Sequence, residues 1–234
     1  MISLPIGFLF TVAVFVFSIK AGMLGTYLNA HSLLIVGGGS LGILFFATPT
    51  ATLRGLVKEI RHLFNKEVRL KDLTGSIIQL SKNKGSKLTV KNELVTYAQE
   101  LWEQGISADL FVVLLSQKRK EIEQRSADSI QSLKNLAKYP PALGMAGTVM
   151  GIVELFQNLQ ENKSQIGPAF AMALTATFFG LIIANAVVMP LADRMHVRHM
   201  SYQNYLGHVY SLLLLINQDE ASQIVEDEVK ARAA

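Results

Sequence analysis

Two stretches decide the fold: Pro141-Ala-Leu-Gly144-Met-Ala-Gly147-Thr148-Val-Met-Gly151, and Gly167-Pro168-Ala-Phe-Ala-Met-Ala173-Leu-Thr-Ala176-Thr177-Phe-Phe-Gly180-Leu-Ile-Ile-Ala184-Asn185. Neither contains a charge, and both carry small residues three or four positions apart: Gly144, Gly147, Gly151, then Ala173, Thr177, Gly180, Ala184. On a helix that spacing makes one smooth face where a second helix can approach closely. Hiding apolar surface gains little inside a bilayer, so such faces predict protein contact rather than lipid contact. One hydroxyl sits on or beside each face, Thr148 and Thr177. The pattern predicts the packed core of an assembled membrane protein.

The rest of the chain agrees with a membrane setting. Half of its 234 residues are hydrophobic, and the mean hydropathy is +0.31. There is no cysteine, which excludes disulfides, thiol catalysis and thiolate metal sites. Four segments approach or exceed the roughly 20 apolar residues that cross a bilayer: about 3–24, 31–52, 139–159 and 168–192. No basic region precedes the first apolar run and no small-x-small cleavage pattern follows it, so it is read as a span rather than a cleaved leader. Of the 22 basic residues, 16 lie within 53–138 and 4 after 192, leaving only Lys20 and Lys163 elsewhere. The positive-inside rule then puts 53–138 and both termini in the cytoplasm, and assigns the basic balance to retention charges rather than to nucleic-acid binding.

The expected fold class is all-α, an integral membrane protein with four transmembrane helices and a helical cytoplasmic domain between spans two and three. Residues 1–52 hold spans one and two, 53–138 the cytoplasmic domain, 139–192 spans three and four, and 193–234 a cytoplasmic C-terminal helix and tail. The glycine cluster Gly37-Gly38-Gly39 with Gly42 costs helix propensity, which predicts close approach to a neighbouring span. Within the insert, helices are expected over 54–65, 70–83 and 90–104, the last two each ended by a glycine. A long helix follows from about Ser107 to Lys138, with Leu110, Phe111, Leu114, Leu115 and Ile122 as its buried stripe. His196 and His199 stand three apart, a spacing compatible with one metal, but no further ligand is near and they read as surface histidines.

No Ser/His/Asp arrangement, carboxylate pair or cofactor motif occurs, so the chain is not read as an enzyme. Between Pro141 and Val153, and again between Pro168 and Pro190, no side chain ionises. An ion path needs a titrating or coordinating group at membrane depth. If this chain serves one, the carboxylate must come from another chain, with Thr148 and Thr177 lining the route. Equally, helical threonines bond back to their own i−4 carbonyls. Glu154, late in span three, reads as a carboxylate at the outer interface.

The string Pro141-Ala-Leu-Gly-Met-x-Gly-Thr148, Ile166-Gly-Pro-Ala169, Ala171-x-Ala-Leu174, Thr177-x-x-Gly180, Ala184-Asn185, Pro190-x-Ala-Asp193 resembles the A subunits of bacterial flagellar stators, MotA and its sodium-using relative PomA, within the wider MotA/TolQ/ExbB superfamily. The resemblance implies a homopentamer around two copies of a single-span B subunit. That partner brings a membrane aspartate and a peptidoglycan-binding domain, and a rotor protein meets the complex at the cytoplasmic face. It further implies an inner-membrane location and a coupling role for Pro141 and Pro190, whose rings permit a bend. Thr148 and Thr177 match pore-facing threonines. Ala176 stands where sodium users carry a further threonine, which favours protons over sodium; no cofactor or metal is implied. The rotor-contact charges fall on Lys82, Lys84 and the nearby Glu93. The expected function is an ion-driven stator subunit for flagellar motility. The alternatives are a TolQ/ExbB-like energiser of another load, or a secondary transporter, whose internal repeat and buried charges are missing here.

Overall fold

The computed structural model describes residues 3–19, 27, 29–63, 92–161 and 166–218. The expected helix over 70–83, with Lys82 and Lys84, lies outside them. Among the described residues every regular element is helical: α1 Ser3–Ser18, α2 Ala30–Ala47, α3 Thr50–Leu63, α4 Glu93–Glu103, α5 Ala108–Leu136, α6 Tyr139–Glu161 and α7 Ile166–Asn217. By length and composition α2 and a window of α7 can cross a bilayer, while α1 is apolar but shorter. α2 and α7 each contain one stretch of wider, π-helical winding, Leu34–Gly38 and Ile183–Val188.

The chain forms two compact units. The first comprises Met1–Phe64 with Asp128–His196, the second Asn65–Ala127 with Val197–Ala234.

In the first unit, α6 and α7 pack along their small-residue faces. A core at one end gathers Leu44, Leu56, Ile130, Leu133, Leu136, Val188, Ala192 and Met195. Asn29 starts α2, its side-chain oxygen accepting from the backbone N–H groups of His31 and Ser32 at 3.0 and 3.2 Å. Of the glycine cluster, only Gly39 meets a neighbour tightly: a Cβ there would stand 2.9 Å from Leu143 Cδ1. Gly42 faces open space. The cluster's cost in helix propensity is therefore offset by close approach at one position, while the turn at 34–38 relaxes into wider winding.

The second unit is a helical domain built jointly by α4, most of α5 and the C-terminal part of α7. Leu94, Val95, Phe111, Leu115, Leu206, Val209, Leu212 and Leu213 are fully buried together. Each large one contributes about 1.5–3 kcal/mol relative to exposure, well above the few tenths of a surface ion pair, so the core holds this unit. Trp102 stacks on Phe111 at 5.3 Å between centroids and donates its indole N–H to Asn217 at 3.0 Å. Gly105 ends α4 with φ +64°, a conformation that suits glycine. In the expected stripe of α5, Phe111, Leu115 and Ile122 are buried but Leu110 is 48 % exposed. Leu110 lies one residue before Phe111, so 100° of rotation carries it off the face that Phe111 and Leu115 share.

Candidate functional site

The site is the seam between α6 and α7 in the first unit. A Cβ placed on Gly144 would lie 2.9 Å from the Ala176 carbonyl oxygen and 3.2 Å from Thr177 Cα. On Gly151 it would lie 2.8 Å from Ala173 Cβ, and on Gly180 2.6 Å from the Pro140 carbonyl oxygen. These helices touch backbone to backbone, as small residues at that spacing permit. Gly147 faces Ala176, and Ala173 and Ala184 are buried with them.

Within the seam the two hydroxyls meet. Thr148 Oγ1 and Thr177 Oγ1 form a hydrogen bond with each other. Thr148 Oγ1 also lies 3.0 Å from the carbonyl oxygens of Gly144, in its own helix, and Ala173, in the facing one. Thr177 Oγ1 reaches the Gly144 carbonyl at 3.5 Å. Back-bonding and cross-helix bonding are thus both present at Thr148, and the pair is a polar bridge between two charge-free helices. Both threonines are half-buried in the single chain. Beside them Met145, Val149, Met150, Val153, Phe170 and Leu174 are exposed, an apolar face flanking a hydroxyl pair.

Ala176 is fully buried against Gly147 rather than on that face. Thr175, one position earlier, is also turned away: its hydroxyl bonds Ser32 Oγ at 2.9 Å, while Ser32 reaches the Met172 carbonyl at 3.0 Å. Sequence reasoning had no means to pair Ser32 with Thr175, since 143 positions separate them and neither stands in a recognisable spacing. Pro141 is the third residue of α6, within its first turn, beside Gly180. Pro190 stands two residues after the π-helical stretch of α7 ends at Val188. A proline without an N–H donor and a widened turn both weaken the i→i−4 ladder there. Glu154 is exposed.

In the second unit Glu93 opens α4, behind the cap residue Asn92. Arg125 Nη2 lies 2.6 Å and Lys118 Nζ 3.2 Å from its Oε1; both cations also reach Glu121. Partial burial pushes the Glu93 carboxyl up, but hydrogen bonds and charge from Arg125 and Lys118 outweigh it and leave the pKa below the usual glutamate value. Lys118, despite desolvation, is held above its usual value by Glu121 and Glu93. Glu93 therefore belongs to a helix-borne ion-pair network. His199, expected at the surface, is buried with Nδ1 3.0 Å from Ser126 Oγ, because the helical turn carrying it faces α5. Among the described residues no group of three or more His, Asp and Glu side chains is placed to hold a metal.

Comparisons with known proteins agree with this architecture. The chain is 28 % identical over 200 residues to the chemotaxis protein PomA of Vibrio alginolyticus, an alignment covering 82 % of this chain and 78 % of that one. Its fold matches C. jejuni MotAB with a TM-score of 0.81 at 17 % identity, covering 99 % of this chain and 95 % of that one. It matches the flagellar MotAB stator complex of Bacillus subtilis with a TM-score of 0.77 at 18 % identity, over 95 % and 92 %. The family model of the MotA/TolQ/ExbB proton channels matches residues 86–206, just over half of the sequence. That span runs from the middle of the insert through the hydroxyl seam into the core of the second unit, and the chain belongs to the MotA/TolQ/ExbB proton channel family.

Proposed function

We propose that this chain is the A-type subunit of a proton-driven flagellar stator, a four-span inner-membrane protein with both termini in the cytoplasm. Five copies ring two copies of a single-span B-type partner, whose membrane aspartate carries the proton. The observation that carries the reading is the Thr148–Thr177 pair: hydroxyls held on a seam with no ionisable side chain, beside an exposed apolar face fit for a partner helix. Membership of a proton channel family supports it, as do the likenesses to a chemotaxis protein and to a flagellar stator complex.

Protonation of the partner's carboxylate removes a charge and changes its fit against this face. The widened turn at 183–188 and Pro190 supply the compliance that turns that change into motion. Ala176 and Thr175 are both turned away from the hydroxyl pair, leaving few oxygens to replace the shell of a dehydrated sodium ion, which favours the proton. The network around Glu93, with Lys82 and Lys84, is the proposed surface toward the rotor.

Proton uptake in proteoliposomes holding the A–B complex tests this. Thr148→Val is expected to lower uptake by about tenfold, in line with losing one well-placed polar group, while Thr148→Ser preserves it. Uptake that requires sodium, or is unchanged by Thr148→Val, refutes the proton-path reading. Rescue of swimming by this chain in a strain lacking its stator separates a flagellar load from the TolQ/ExbB-type alternative.

A further inference from the structure

A groove of about 940 Å³ lies in the first unit between α1 and the middle of α7, lined by none of the seam's small or hydroxyl residues. Gly7, Phe8, Thr11 and Phe15 form one wall, and residues from Phe178 to Arg194 the other. Its size is near the top of the ~300–1,000 Å³ range of ligand pockets. From Leu181 to Arg194 the α7 wall runs about 20 Å at 1.5 Å per residue, enough to span the ~15 Å hydrocarbon depth of one leaflet. The two uncharged polar side chains along it each donate within their own helix: Thr11 Oγ1 to the Gly7 carbonyl at 2.9 Å, and Asn185 Nδ2 to the Leu181 carbonyl at 3.0 Å. A ligand meets a mainly apolar wall, the Asn185 amide and, at one end, the guanidinium of Arg194. Arg194 is the one charged residue lining the groove, and no carboxylate among the described residues pairs with it.

We propose that this groove is a binding site for an anionic phospholipid of the inner leaflet, with an acyl chain along α1 and α7 and the headgroup phosphate on Arg194. The assignment rests on the membrane-spanning reading above, which puts Arg194 at the cytoplasmic interface. Charge complementarity favours a lipid as the occupant: the groove offers an apolar wall ending in one guanidinium, which matches an acyl chain ending in an anionic headgroup at that depth. Arginine's planar fork suits a phosphate. The seated chain lies against Ala186 and Val187, within the π-helical stretch of α7, and against Ile182 and Pro190 flanking it. Lipid therefore touches the segment proposed to flex.

The chain's single tryptophan, Trp102, makes the test direct. In a Trp102→Phe background, Phe8→Trp reports from the groove and Phe46→Trp from the most exposed position of α2. The full complex is reconstituted in bilayers containing brominated phosphatidylcholine or brominated phosphatidylglycerol, and quenching is read. At Phe8→Trp, phosphatidylglycerol is expected to bind about five-fold more strongly than phosphatidylcholine, the preference one interfacial arginine confers. Arg194→Gln brings that ratio near one, and Arg194→Lys keeps most of it. At Phe46→Trp both lipids quench equally. A Phe8→Trp signal that bromine does not quench, with Phe46→Trp quenched, shows the groove covered by protein and overturns the proposal while sparing the membrane reading. A ratio near one in the parent, or one unmoved by Arg194→Gln, overturns it as well. Absence of quenching at both positions defeats the membrane reading and the lipid site together.

Discussion

Gly180→Ala offers the sharpest test of the α6–α7 seam. The added methyl would stand 2.6 Å from the Pro140 carbonyl oxygen, 3.2 Å from its carbon and 3.2 Å from Pro141 Cα. Non-bonded heavy atoms meet comfortably at about 3.5 Å, and all three neighbours are backbone, so no rotamer change can make room. The two helices must part at Pro140–Pro141. Overpacking of this kind costs about 1–3 kcal/mol, and three backbone clashes put Gly180 at the upper end. Alanine returns up to about 1 kcal/mol of helix propensity, leaving a net loss near 2 kcal/mol. For a chain of this size that lowers Tm by about 4–8 °C. Gly42→Ala is the control: it sits in a helix interior with nothing within 4 Å, keeps the propensity gain and meets no wall. Its Tm is expected to equal or exceed that of the parent. Thermal unfolding of the purified complex in mild detergent gives both values. A Gly180→Ala protein as stable as Gly42→Ala would mean that the helices are not in backbone contact, and the close-packed seam would have to be abandoned.

Two further outcomes follow from the second unit. Asn92 accepts from the N–H groups of Leu94 and Val95 at 2.9 and 3.2 Å and donates to Tyr205 Oη at 3.1 Å. Asn92→Ala therefore removes a helix cap and a tie between segments, and is expected to cost about 1–2 kcal/mol, read as a lower unfolding midpoint; Asn92→Asp keeps the cap and loses less. Because the folded Glu93 carboxyl titrates below its ordinary value, its network adds stability that is complete above the unfolded pKa of about 4.3 and fades as pH falls through the lower folded value. Glu93 is 44 % exposed, so the contribution is a few tenths of a kcal/mol. Glu93→Gln should flatten the stability profile below about pH 4.5 and leave its slope at pH 7 unchanged; a changed slope at pH 7 would assign the pH dependence to other groups.

Spacing alone identified the small-residue faces, because a period near 3.6 maps onto one side of any helix and needs no knowledge of the partner. Composition and the distribution of basic residues suggested a membrane setting, and the string from Pro141 to Asp193 pointed to the family. The helical character of the insert's described residues was also legible, with the glycine stop at Gly105. Periodicity does not say which of two adjacent residues faces inward, which is why Leu110 was misplaced beside Phe111. Nor does it foresee that the C-terminal part of α7 would build about half of the second unit's core, since Leu206 and Leu212 meet Phe111 and Leu115 only through long-range packing.

The site divides in the same way. That Thr148 and Thr177 carry the only hydroxyls on facing small-residue stripes was readable from the chain. That they bond each other, while Thr175 turns to Ser32 and Ala176 to Gly147, was decided by how α2, α6 and α7 rotate about their own axes. Local sequence determined which elements form and which residue types line them. Rotation, register and the pairing of distant hydroxyls come from close packing, where a difference of an ångström selects one neighbour over another.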